Sequence, residues 1–288
     1  MATQQTEHPI AIIAGGGSVP LHVANAALSG GRKVLVIGIK GEANPGIDRF
    51  AHDWIHFGQM GRLLKLLDDH GAVELVLVGG INARPDFSQL RLDFWTLKNL
   101  PEILSIMSKG DDSVLSGTIK MFEARGYTVV GAHEIAADLV SLPGVIAGTK
   151  PESNGFDDIK LAISAARNIG KLDAGQAAIV VNGRIVALEA AEGTDEMIAR
   201  VARLNASGRL KWKGRVGVLA KCAKPQQDLR VDMPTIGPDT VTAVDRAGLA
   251  GIAIEARQVM IIERDETRRR AELAGVFIFA VDEREVAI

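Results

Sequence analysis

Residues 221–238, KCAKPQQDLRVDMPTIGP, set Lys221, Lys224 and Arg230 beside Asp228 and Asp232, with prolines at 225, 234 and 238. Cations next to carboxylates can hold an anionic ligand. Proline fixes φ and lacks an N–H donor, so the stretch suits neither a helix nor a central strand. An aliphatic run, 216–220, leads into it and a helix starting near Gly237 leads out. A stiff, charged loop between rigid elements suits ligand chemistry, and a solvated surface turn is the plain alternative.

Further candidates sit where apolar runs give way to glycine or charge. PIAIIA (9–14) reads as a buried strand running into Gly15, Gly16, Gly17 and Ser18, then a helix with Pro20 in its first turn and a second strand at 33–37. This strand–turn–helix–strand unit builds parallel sheets, and its glycines let backbone amides approach an anion at the helix start. It is an incomplete dinucleotide fingerprint. The third glycine is missing at the usual spacing, and no acidic residue ends the second strand. A structural turn and a phosphate contact through Gly16 and Gly17 both remain open. The strand LVLV (75–78) opens into Gly80, Asn82 and Arg84, whose donors suit a phosphate or base edge, or a capped turn. Asp111 and Asp112 precede a helix at 114–125 as caps or metal ligands. His133 follows a strand at 127–130, where a neutral imidazole could bond a substrate or serve the fold.

The frame for these residues is α/β. At 288 residues the chain suits two domains, and 47% hydrophobic residues with 31 glycines suit compact α/β packing. We expect an N-terminal Rossmann-like parallel sheet with helices over 1–145, a linker over 146–156 and a C-terminal mixed α/β domain over 157–288. In the second domain, Asn182 and Gly183 between AAIVV and RIVALEA mark a hairpin. It delivers Glu189 and Glu192, either into a site or into solvent, before Thr194 or Asp195 caps a helix over 196–204. A second hairpin is expected from 251–255 and 258–263, then a short basic helix and a last strand at 276–281. The Arg268, Arg269 and Arg270 run reads as a solvated face, with a headgroup contact as alternative.

Composition narrows the function. Lys plus Arg is 33 and Asp plus Glu 35, a net charge of −2, which argues against a nucleic-acid binder. The single cysteine, Cys222, excludes an internal disulfide and fits a cytoplasmic setting; no Cys–His pairing supports a nucleophile. The start MATQQTEHP lacks the features of a signal peptide, and no apolar run nears the ~18 residues of a spanning helix.

Taken in order, IIAGGGSVPLHVANAA, GDDSVL, GAHE, LDAGQA, EAAEGTDEM and LAKCAKPQQDLRVDMPTIGPDTV resemble the LpxI family of UDP-2,3-diacylglucosamine pyrophosphatases. The resemblance implies hydrolysis of UDP-2,3-diacylglucosamine to UMP and lipid X in the lipid A synthesis of Gram-negative bacteria. It also implies two α/β domains closing over the lipid product, dependence on Mg2+, and water directed at the phosphorus nearer the sugar. The family's essential aspartate lies in R-V-D-L-P-T-I-G, which here reads Arg230 to Gly237 with Met233 for leucine, so Asp232 is the catalytic candidate and a metal ligand candidate. Lys221, Lys224 and Arg230 would neutralise phosphoryl oxygens while Asp232 positions water or holds the metal. Gln176, Glu189, Thr194, Gly16, Gly17, Gly80, Asn82, Arg84, Asp111 and His133 complete the expected substrate contacts. Two acyl chains imply peripheral contact with the cytoplasmic face of the inner membrane, and a homodimer is the default for a soluble enzyme. A nucleotide-dependent oxidoreductase or transferase, and a non-catalytic lipid or nucleotide carrier, are the alternatives.

Overall fold

A computed structural model of the chain describes residues 8–81, 91–107 and 111–282, without the side chains of 102, 105–107, 111–113 and 154. The chain forms two compact units. The first is Met1–Ala137 with Arg230–Asp232, and the second is Asp138–Leu229 with Met233–Ile288.

The first unit runs β1 (Ile10–Ala14), α1 (Val19–Ser29), β2 (Val34–Ile39), β3 (His52–Ile55), α2 (Met60–Asp69), β4 (Glu74–Val78), α3 (Phe94–Lys98), α4 (Leu100–Met107), α5 (Asp111–Glu123), β5 (Thr128–Val129) and α6 (Ala132–Ile135). Its five strands are all parallel, in the order β3-β2-β1-β4-β5. That is the strand order of a doubly wound sheet, and the order reverses between β1 and β4, where such sheets open a crevice. β1 is buried along its whole length, as its unbroken IAIIA run requires of a strand covered on both faces.

The second unit runs β6 (Gly144–Ala147), α7 (Ser153–Lys171), β7 (Ala177–Val181), β8 (Arg184–Leu188), α8 (Gly193–Ala206), β9 (Val218–Lys221), β10 (Thr235–Ile236), α9 (Pro238–Arg246), β11 (Gly251–Glu255), β12 (Met260–Ile261), α10 (Arg264–Ala274) and β13 (Phe277–Val281). Six strands form a mixed sheet, β6-β13-β11-β9-β7-β8, parallel at its centre and antiparallel at both edges. The period-2 alternation of β7 divides the core. Ala177, Ile179 and Val181 pack with Met197, Ile198, Val201, Val241 and Val244 beneath α8 and α9, whereas Ala178 and Val180 meet Ile159, Ala162, Ile163 and Ala166 of α7. The β7–β8 turn has positive φ at both Asn182 (50°) and Gly183 (73°), and its amides donate to the buried Asp158 carboxylate at 2.9 and 2.6 Å.

The expected hairpin from 251–255 and 258–263 does not form. β11 lies between β9 and β13, parallel to both, while β12 leaves the sheet to pair in parallel with β10. The turn between them carries no two-residue hairpin signal, and β11 is buried throughout, so it takes a central place. The stretch expected as a linker, 146–156, instead carries the end of edge strand β6 and the first turn of α7. Its glycines and Pro151 break periodicity where one element ends and the next begins.

Candidate functional site

In the first unit the two glycine turns meet at the sheet's switch point. Gly15 N–H donates to Val78 O at 2.9 Å, and Gly16 N–H donates to Gly80 O at 2.7 Å in an isolated antiparallel bridge. A Cβ on Gly15 would lie 2.5 Å from Gly79 O, so glycine is required by backbone packing. The Gly16 amide is therefore engaged by Gly80 and not presented to a phosphate, which corrects half of the expected cradle. Gly17 (φ +88°) is exposed with open space around it.

Beside this bridge lies an apolar cavity of about 340 Å³ at the carboxyl ends of β1 to β4, lined by Ile13, Ile39, Ile55, Leu77, Ile103 and Phe122 among others. Val231 lines it too, the middle residue of the three that the later chain contributes to this unit. Arg230 next to it donates to Glu123 Oε1 at 2.8 Å. His133 stands on α6 with its ring against Gly131, whose added Cβ would come within 2.5 Å of it. Its Nδ1 is buried and makes no hydrogen bond, and burial, only partly opposed by Glu134, holds the imidazole below its ordinary pKa.

In the second unit a polar cleft of about 570 Å³ opens at the N-terminal ends of α8, α9 and α10. The two-stranded β10–β12 pairing brings two of these helix starts side by side, since α9 begins two residues after β10 and α10 three after β12. Lys221, the last residue of β9, reaches in and donates from Nζ to Thr235 O at 3.0 Å. Thr194, Ile236, Gly237 and Thr240 share the lining. Arg270 crosses from α10 to Asp239 Oδ1 and Thr242 Oγ1, each at 3.2 Å, and bonds Glu266 Oε1 at 2.7 Å. Bonds from Arg269 and Arg270 lower the Glu266 pKa to about 2. Five carboxylates, of Glu192, Asp195, Glu196, Asp239 and Glu263, line the cleft against the two cations Lys221 and Arg270.

Of the expected contacts, Lys221 and Thr194 come together in this cleft. Glu189 does not face it. The carboxylate is buried, taking the Thr194 hydroxyl on Oε1 and the Gln176 backbone N–H on Oε2, each at 3.0 Å, so it latches the start of α8 to the start of β7. Gln176 keeps a buried Oε1 without a hydrogen bond. Lys224 pairs with Asp173 at 2.8 Å, and neither it nor Arg230 lines the cleft. Asp232 is half-buried, and only Met233 and Pro234 separate it in the chain from Thr235 of the cleft. Asn82 and Arg84 lie outside the described residues, as does the side chain of Asp111, at which α5 begins.

The cleft residues Asp239, Thr240 and Glu263 were not singled out from sequence, and Arg270 was read only as part of a solvated basic face. The one available signal was the pair of helix starts, GPDT and ERDE, following short apolar runs. Arg268 and Arg269 pair along α10 with Glu272 and Glu266 as a solvated face does, and only Arg270 turns to the cleft. Cys222 is fully buried, and burial pushes its thiol well above the usual range, with Glu255 adding to the effect. It is no nucleophile.

Among the described residues no group of three His, Cys, Asp or Glu side chains forms a metal cage. The donor set still fits Mg2+, which binds through one or two carboxylates and substrate phosphates while retaining waters.

Residues 9–139 match the LpxI N-terminal domain and residues 142–279 the LpxI C-terminal domain. The UDP-2,3-diacylglucosamine pyrophosphatase LpxI of Caulobacter vibrioides is 38% identical over 276 residues, spanning 96% of this chain and 98% of that protein. Among solved structures, a UDP-glucose-4-epimerase from Stenotrophomonas maltophila (12% identity, 51% of this chain, 40% of that chain) and an isoflavone reductase (11%, 97% and 80%) each align with a TM-score of 0.26, too low to carry an argument. With both domain families matched in order and a relative aligned almost end to end, the chain belongs to the LpxI family.

Proposed function

We propose that the protein hydrolyses the pyrophosphate bond of UDP-2,3-diacylglucosamine to UMP and 2,3-diacylglucosamine 1-phosphate, with Mg2+, as a step of lipid A biosynthesis. The observation that carries this reading is the run Arg230 to Gly237, which has a carboxylate three residues before a strand that lines the polar cleft. Breaking a phosphoanhydride requires neutralised phosphoryl oxygens and an oriented water. Lys221 supplies positive charge fixed by its bond to Thr235 O, and the starts of α8, α9 and α10 add amide dipoles of the same sign. Asp232 orients and deprotonates the water, or holds the metal through its carboxylate. Magnesium, when bound with the substrate phosphates, would lower the negative charge that repels the attacking oxygen. The apolar cavity of the first unit suits an acyl chain, and among the described residues its lining holds no Asp, Glu, Lys or Arg. A substrate with two acyl chains places the encounter at a membrane surface.

The test is UMP release by the purified protein from UDP-2,3-diacylglucosamine, with Mg2+ or with EDTA. Release with Mg2+ and its loss in EDTA are expected; no UMP with any divalent metal would overturn the reading. Asp232→Asn is expected to lower kcat about 10²–10⁴-fold with the fold intact, as loss of a general base does. In ¹⁸O water the label is expected in the sugar phosphate, and label in UMP would contradict the attack site.

A further inference from the structure

The helix pair α3–α4 turns an apolar face outward. Phe94 and Leu97 share one side of α3, Pro101 and Leu104 one side of α4, each pair three residues apart, and all four are exposed, Phe94 at 84%. Leu92 and Ile81 extend the surface. A face of this kind is unusual for a monomeric soluble surface. The opposite side of α3 is held to the first unit by hydrogen bonds. Asp93 caps α3 through Thr96 N at 2.8 Å and receives Arg62 N of α2 at 2.9 Å, while Thr96 Oγ1 donates to Gly58 O at 2.8 Å.

We infer that this face docks the protein on an anionic lipid surface. Two observations choose lipid as the occupant. Thr96 and Ile103 of the same helix pair, with Ile81, line the apolar cavity, so apolar surface runs from the outer face to an internal space of acyl-chain chemistry. Arg91 and Lys98, both exposed, flank the face as cations that anionic headgroups would attract. Such helices lie in the interface with the apolar side buried and the basic residues at headgroup level. The inference rests on the lipid-substrate reading and adds the surface that meets the bilayer.

The experiment is co-sedimentation of the full chain with vesicles of phosphatidylcholine, with and without phosphatidylglycerol. Binding is expected, and stronger with phosphatidylglycerol. The double variant Phe94→Ser, Leu97→Ser is expected to weaken it about tenfold or more, since two apolar side chains no longer enter the lipid. Arg91→Glu with Lys98→Glu is expected to abolish the preference for phosphatidylglycerol. Both variants are expected to hydrolyse detergent-dispersed substrate as the unaltered chain does, which separates docking from catalysis. Failure of all proteins to release UMP would sink the hydrolase reading, whereas vesicle binding unchanged in the serine variant would overturn the docking surface alone. A serine variant that only dissociates a dimer, with vesicle binding intact, would assign the face to a second copy and also overturn it.

Discussion

His133 shows how a single residue converts burial into pH dependence. Its imidazole titrates below the ordinary value in the folded chain, chiefly through desolvation, while the unfolded chain titrates near ~6.5. Below that value the unfolded chain binds the proton first, so the stabilisation present above about pH 6.5 is lost as pH falls toward the folded pKa. Urea unfolding at pH 7.5 and 5.5 is expected to show a larger drop for the unaltered chain than for His133→Gln. Asp93 also loses its contribution as pH falls, at lower pH and because its charged form is the one held by the fold. Desolvation raises its pKa, but amide and hydroxyl bonds from Thr96 and the Arg62 amide outweigh it and leave the carboxyl below its usual range. Its contribution is present above about pH 4 and is lost as acid protonates the cap. Asp93→Ala is expected to cost about 1 kcal/mol at pH 7 and less at pH 3, read from urea midpoints.

At the scale of elements, the glycines divide by what surrounds them. An added Cβ at Gly15 meets carbonyl oxygens of the neighbouring turn, which cannot move without breaking the Gly16–Gly80 bridge. Gly15→Ala is expected to cost about 3 kcal/mol in thermal or chemical unfolding. Gly17→Ala meets open space and only the strain of a positive φ, about 1–2 kcal/mol. The sequence displays the glycine run without this distinction, because which carbonyl lies across from which glycine depends on a strand sixty residues away. Long buried strands and amphipathic helices were legible because their periodicity is local: β1, β4, β7, α1 and the Asn182–Gly183 turn all form where composition places them. β3 and β10 were not, and β12 was expected as the hairpin partner of β11 where it pairs with β10 instead. β10 has two residues and no period, and β3 is a half-exposed edge whose polar HDWI carries no buried pattern. The polar cleft was half legible for the same reason. Lys221 and Thr194 stood out by type, whereas Arg270 and Asp239 became cleft residues through the parallel β10–β12 pairing.

The whole molecule is two units, and the chain leaves the second after Leu229 and re-enters it at Met233. Val231 in that excursion packs on the first unit's core cluster. In a Trp212→Phe background, Trp54 and Trp95 of the first unit supply the remaining indole fluorescence. Val231→Ala is expected to lower the stability of the transition they report by about 1 kcal/mol, although the substitution lies far along the chain. No change in that transition would show that the excursion contributes nothing to the first unit. The family-level motif spans this excursion, which explains why RVDMPTIGP reads as one block in sequence yet serves two bodies in space.

The same excursion sets a timetable during synthesis. Residues 8–137 leave the ribosome long before Arg230–Asp232, and at ~5–20 residues per second the delay is on the order of ten seconds. Over that interval the nascent first unit carries an apolar cavity without its Val231 wall. A half-made chain is thus stickier than the finished one, and chaperone capture is expected to peak for nascent chains between these two lengths.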